Sequence, residues 1–243
     1  MTGSMKRLAL GLVLALATSA AANAEPVRLR LAWVVPVANW GSMLLEKKDL
    51  ARHLGQSYVL EPVNFTGTPA MITAIASGDL EIASFAFSSL ALAIENAGLD
   101  DLRIVSDEFQ DGVEGYYSDE YLVRNDAPIH AVADLKGKVL ATNAEGSAVD
   151  IAMRAMLQTN GLDPKRDVNI VEAAFPTMRA MLGEKKVDLI PAVLPFSRNP
   201  ELRAMAHPLF TQKDAVGKMK IDLQSGDYMV AGDLDVKLCV AAK

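Results

Sequence analysis

Strand-like runs alternate with helical patterns along most of this chain, and that alternation restricts the fold more than any other feature. VRLRLAW (27–33) alternates apolar and charged residues and ends at Trp33. Leu44, Leu45, Leu50 and Leu54 then recur at helical spacing before Gly55, which predicts one continuous helix over 40–54. YVLEPVNF (58–65) predicts a strand. Thr68 predicts an N-cap and Pro69 the first helical residue of a helix running to Gly78, with Met71, Ile72 and Ile75 on one face. LEIASFAF (80–87) predicts a strand, Ser88 or Ser89 a cap, and Gly98 a helix end. LRIVSDEF (102–109) is the next strand. Helices alternating with strands in this way imply βαβ units and a parallel sheet, with right-handed crossovers placing helices on both faces.

QDGVEGYYSD (110–119) interrupts the rhythm with glycines and acidic residues, as a crossover to a second lobe would. The alternation then resumes. EYLVRND predicts a strand, AVADLKG a short helix and KVLATNA a strand. Ser147 predicts the cap of a helix ending at Asn160-Gly161, with Asp150 as its capping-box partner. DVNIVEA (167–173) and VDLIPAVLPF (187–196) predict strands, and 176–185 and 200–206 predict helices.

The first residues are expected to lie outside the fold. Lys6 and Arg7 precede an apolar run from Leu8 to Ala17, and Ala22-Asn23-Ala24 supplies a cleavage site before Glu25. That order is the pattern of a cleavable signal peptide, 1–24, and predicts export to the periplasm. The formal charge is −6, and removing Lys6 and Arg7 makes the chain more acidic still. An acidic chain without a basic cluster argues against nucleic acid or an anionic membrane as partner. Cys239 is the single cysteine, so no internal disulfide is expected, nor a lipid anchor at the junction.

In open α/β sheets, ligands bind beyond the C-terminal ends of the strands, where helix N-termini present free N–H groups. The residues expected there are Trp33 and Trp40, Gly67 and Thr68, Ser88 and Ser89, and Gly146 and Ser147. Hydroxyls, glycines and indoles suit holding a small molecule and are poor in bases, nucleophiles and metal ligands. His53, His130 and His207 lack ligand spacing, so no metal and no cofactor are expected. Ser147 reads equally well as an ordinary cap, and the tryptophans as core. Arg179 and Arg124 are weaker choices for an anion contact. The loop Asn143–Ser147 contains nothing evident to cover the helix start that follows it.

DLKGKVLATNAEGSAVDIAMRAMLQTNGLDPKRDVNIVE (134–172) resembles the second lobe of solute-binding proteins of the sulfonate, taurine and nitrate type, a group that includes thiamine-precursor binders. GDLEIASFAFSSLALA (78–93) and GEKKVDLIPAVLPF (183–196) are similar to other strand-end segments of that family. The resemblance implies a two-lobe α/β fold, the type II periplasmic-binding-protein fold, with the ligand cleft between lobes. It places 25–110 and 212–243 in lobe 1 and 111–211 in lobe 2. It implies a monomer that captures a small organic or inorganic anion and delivers it to an ABC permease in the inner membrane, without chemistry. Two other readings stay open: an enzyme on the same scaffold, such as a lyase or pyrimidine-precursor synthase, and a truncated, non-transporting product. Residues 218–243 do not match the further helices of that family, so the first lobe is expected to be incompletely covered, with apolar faces of 40–54 and 68–77 left partly open.

Overall fold

The computed structural model describes residues 25–36, 39–111, 115, 117–216 and 236–241; the expected signal peptide lies outside them. The chain opens with β1 (Val27–Trp33), a 3₁₀ turn at Trp40–Ser42, α1 (Met43–Glu46) and a second 3₁₀ turn at Lys48–Leu50. β2 (Tyr58–Asn64), α2 (Thr68–Ala76), β3 (Ile82–Ala86), α3 (Phe87–Ala97) and β4 (Arg103–Gln110) follow. Next come β5 (Glu120–Arg124), a 3₁₀ turn at Val132–Leu135, β6 (Val139–Thr142), α4 (Ala148–Thr159), β7 (Asn169–Glu172) and α5 (Phe175–Gly183). β8 (Leu189–Ala192), α6 (Pro200–Met205), β9 (Ala206–Thr211), α7 (Gln212–Val216) and finally β10 (Val236–Ala241) complete the order.

The strands form two five-stranded sheets, ordered β2-β1-β3-β10-β4 and β7-β6-β8-β5-β9. Within the βαβ units the pairing is parallel: β1 with β2 and β3, and β6 with β7 and β8. The sheets as a whole are mixed, which corrects the expectation of parallel sheets. β5 runs antiparallel to β8 and β9, and β10 antiparallel to β3 and β4. Each is the strand by which the chain enters one sheet from the other.

The second sheet is covered on both faces, and the two-residue period of its strands sorts the side chains. Tyr121, Val123, Leu140 and Leu189 pack with Val149, Met153 and Leu157 of α4. Their neighbours Leu122, Ala141 and Ile190 pack with Met178 and Leu182 of α5 and Leu202 of α6. Ala215 of α7 joins the α4 cluster, so this unit runs past β9. In the first sheet, Ala32, Ala83 and Phe85 pack against Met71 and Ile75 of α2 and Leu90 and Ala93 of α3. The exposed large apolar residues Val27, Met43, Leu50, Ile94, Ile104 and Val105 all belong to this first unit. The expected opening of 40–54 is therefore present at Met43 and Leu50, whereas the face of α2 is covered.

The predicted helix over 40–54 is not continuous. It breaks at Lys47 (φ −112°, ψ 68°), and neither α1 nor the turn after it buries a residue. So short a segment is marginal without an apolar stripe to pack, and spacing alone does not sustain it. The caps also shift. Gly67, not Thr68, precedes α2, and Ala86 precedes α3, which leaves Ser88 and Ser89 inside its first turn. Ser147 does cap α4, and Gly98 (φ 66°) and Gly161 (φ 80°) end their helices in the left-handed conformation.

Candidate functional site

The C-terminal ends of β1, β2, β3 and β6 carry the residues expected to face a ligand. Trp33 closes β1 and is 8% exposed; among the described residues its indole N–H has no acceptor. Ser89, in the first turn of α3 on the neighbouring strand–helix unit, is fully buried, and its hydroxyl also has no partner there. Ser88 beside it is buried too. A buried donor left unmade costs about 1–3 kcal/mol, so two at one sheet edge need a reason. Trp40 opens the 3₁₀ turn, and its side chain lies outside the described residues.

The loop after β2 meets the loop after β6. A Cβ added to Gly67 would fall far inside contact distance of the Ala144 Cβ, so the two backbones approach as closely as they do only because residue 67 is glycine. Asn143 Nδ2 donates to the Thr66 carbonyl at 2.9 Å across the same approach. A Cβ at Gly146 would lie 3.8 Å from Pro69 and 3.9 Å from Leu92, which puts the α4 loop against the start of α2 and the middle of α3. Thr68 is buried beside this contact. The structure thus brings Gly67, Thr68, Gly146 and Ser147 together, with Trp33, Ser88 and Ser89 on the same edge of the first sheet.

The start of α4 is covered after all. Ser147 Oγ donates to Asn143 Oδ1 at 2.7 Å and lies 3.4 Å from the Asp150 N–H. Asp150, 1% exposed, accepts from the Gly146 N–H at 2.9 Å and from Arg154 Nε at 2.8 Å. The sequence reading left the N–H groups of this helix start open; Asp150 occupies that of Gly146. Glu145 turns to Arg154 at 3.5 Å, and its N–H donates to Glu172 at 2.6 Å. Ser147→Ala should cost about 1 kcal/mol through the lost cap, and lower ligand affinity a few-fold by freeing Asn143. Urea melts and titration calorimetry check both, and unchanged affinity would reduce Ser147 to a cap.

One buried carboxylate escaped the sequence reading. Glu108, on β4 and 5% exposed, accepts from Ser84 Oγ at 2.7 Å, Gly41 N–H at 3.2 Å and Asn39 Nδ2 at 3.2 Å. Its partners are separated by 24 to 69 positions in sequence, so no local pattern signals it. At the crossover, Tyr117 donates to the Ala192 carbonyl at 2.7 Å and lies under Arg198, 5.3 Å from ring centre to guanidinium. Burial, then the charge of Asp119, pushes its phenol well above the ordinary range, so it remains a donor throughout the physiological range. The two arginines are engaged elsewhere. Arg179 pairs with Glu201. Arg124 ends a strand antiparallel to β8, which puts it at the edge opposite the site, where it pairs with Asp126 at 3.0 Å.

The NMT1-like family model matches residues 22–212. The chain belongs to the NMT1-like family. Among solved structures, this NMT1-like chain is similar to the alkanesulfonate-binding protein SsuA of Xanthomonas axonopodis pv. citri, bound to MOPS, at 20% identity and a TM-score of 0.66 over 90% of this chain and 67% of that one. It is similar to the periplasmic aliphatic sulphonate binding protein SsuA of Escherichia coli at 22% identity and a TM-score of 0.57, over 89% and 65%. A binding-protein component of an ABC phosphonate transporter from Pseudomonas aeruginosa matches at 12% identity and a TM-score of 0.62, over 90% and 70%. The NMT1-like chain spans about two thirds of the length of the structures it matches. At these identities the likeness establishes the fold: two α/β units of the periplasmic-binding-protein kind.

Proposed function

We propose that the protein is an exported solute-binding component of an ABC importer, which holds a small oxyanion between its two units and passes it unmodified to an inner-membrane permease. The observation that carries this reading is the pair of buried donors, Trp33 Nε1–H and Ser89 Oγ–H, at the C-terminal edge of the first sheet. Sulfonate, phosphonate, nitrate and carboxylate groups supply acceptors of the kind both donors lack. Ser89 lies in the first turn of α3, whose N-terminal dipole favours negative charge. The carboxylate of Asp150 at the start of α4 opposes an anion there, so the anion belongs nearer α3. That the structures it matches are described as binding proteins for alkanesulfonates and as a component of a phosphonate transporter supports the same reading. We divide the lobes at the 110–118 crossover and after α7, which packs on the second unit, and place the working protein in the periplasm.

The test is a thermal and urea melt against methanesulfonate, taurine, MOPS, methylphosphonate and nitrate. A ligand that binds only the folded state stabilises it by RT ln(1 + [L]/Kd), or about 2.7 kcal/mol at a hundred times Kd. Saturating ligand should also reduce the radius of gyration in small-angle scattering as the lobes settle on it. A cooperative melt that none of these anions shifts defeats the oxyanion reading. A ligand recovered chemically altered replaces it with an enzyme.

A further inference from the structure

The hydrogen bonds of Glu108 converge on the segment that joins β1 to α1. Asn39, held by Glu108 through Nδ2, uses its Oδ1 to accept from the backbone N–H groups of Val34 at 3.1 Å and Val35 at 3.0 Å. Gly41, held by Glu108 through its N–H, follows Trp40 directly. One carboxylate thus fastens the chain on both sides of Trp40 and, through Asn39, directly after Trp33, and Ser84 fastens the carboxylate to β3. The segment reaches beyond its own unit. Val35 is buried in the apolar cluster of the second sheet with Tyr121, Leu140 and Met153, and Val34 packs on the clusters of both units.

We infer that Glu108 is a positioning residue for the binding site, fixing Asn39 and Gly41 and, through Asn39, Val34 and Val35, so that Trp33 and the second unit meet the ligand in register. The inference rests on the reading of Trp33 as a ligand donor. It also makes a demand on atom types. Two backbone N–H groups fix Asn39 Oδ1, so its NH₂ must face Glu108. In Glu108→Gln, one oxygen can still accept from Ser84 and Gly41, but the new NH₂ then faces the NH₂ of Asn39. Adding Asn39→Asp restores an acceptor at that point, exchanges the charge between the two positions and leaves the backbone contacts of residue 39 intact.

The experiment compares wild type, Glu108→Gln, Glu108→Gln with Asn39→Asp, and the milder Ser84→Ala. The chain has only two tryptophans, so their emission and acrylamide quenching report on this segment directly. Amide exchange at Val34 and Val35 reports on its hydrogen bonds, and calorimetry with MOPS on binding. Glu108→Gln should shift emission to the red, raise exchange at both valines and weaken MOPS binding about tenfold. Ser84→Ala should do the same to a smaller degree, and the double variant should recover all three readouts. If Glu108→Gln and Ser84→Ala fold with unchanged emission and exchange, or if the double variant recovers stability alone, Glu108 is only a structural residue and the inference falls. Failure of MOPS to bind the wild type counts against the ligand class and leaves emission and exchange to decide the positioning role.

Discussion

Gly67→Ala is expected to weaken ligand binding by at least tenfold while leaving each unit folded. Its backbone (φ −166°, ψ 160°) is extended and accepts any residue, so alanine causes no local strain. The cost arises only where the two units meet. There the new methyl would overlap the Ala144 Cβ, and the two loops must separate before both can fit. Separation also stretches the 2.9 Å bond from Asn143 to the Thr66 carbonyl. The variant should show a larger radius of gyration with ligand present, and faster exchange around Asn143. Ala144→Gly removes the opposing methyl, so Gly67→Ala with Ala144→Gly should regain most of the affinity. A Gly67→Ala protein that binds at wild-type strength would mean that this approach of the loops plays no part in holding ligand.

The largest stability effect is expected at Arg154. Asp150 is almost wholly buried, and Arg154 Nε, 2.8 Å away, is its charged partner. Arg154→Met keeps the aliphatic stem and leaves a buried carboxylate with the Gly146 N–H as its principal remaining donor. Breaking one side of a buried pair costs about 3–5 kcal/mol. Arg154 retains 24% side-chain exposure, so the lower end, about 3 kcal/mol, is expected. In a protein of this size that corresponds to roughly 6–12 °C in Tm. Asp150→Asn in the same background should recover part of the loss by removing the stranded charge. A urea midpoint for Arg154→Met within error of wild type would show that Asp150 draws its stabilisation from elsewhere.

Much of the fold was legible because its punctuation is local. The strands ending at Trp33 and Asn64, the Ser147 cap and the glycines at 98 and 161 follow from two-residue alternation and from the conformations that glycine alone adopts cheaply. β9 was not anticipated; its Pro208 is tolerated because β9 lies at a sheet edge. The helix expected over 40–54 failed because spacing cannot show whether anything packs on it. The site divides the same way. Small and hydroxyl residues at strand ends marked the loops, but neither the Gly67–Ala144 approach nor the Glu108 bonds leave a trace in nearby residues. Both depend on segments brought together only by the completed sheets.

The position of β10 has a consequence for the order in which the molecule assembles. β3 and β4 follow one another closely in sequence but do not pair; β10, more than a hundred residues later, lies between them. During synthesis the N-terminal sheet must therefore wait, with β4 lacking its neighbour until the last described strand emerges. The stretch from β5 to α7 draws on no distant strand and can close its own sheet first. Contacts of such long sequence separation form slowly. The unit made second is accordingly the one equipped to fold first, and the unit made first remains open to passing chaperones and proteases until the chain returns to it.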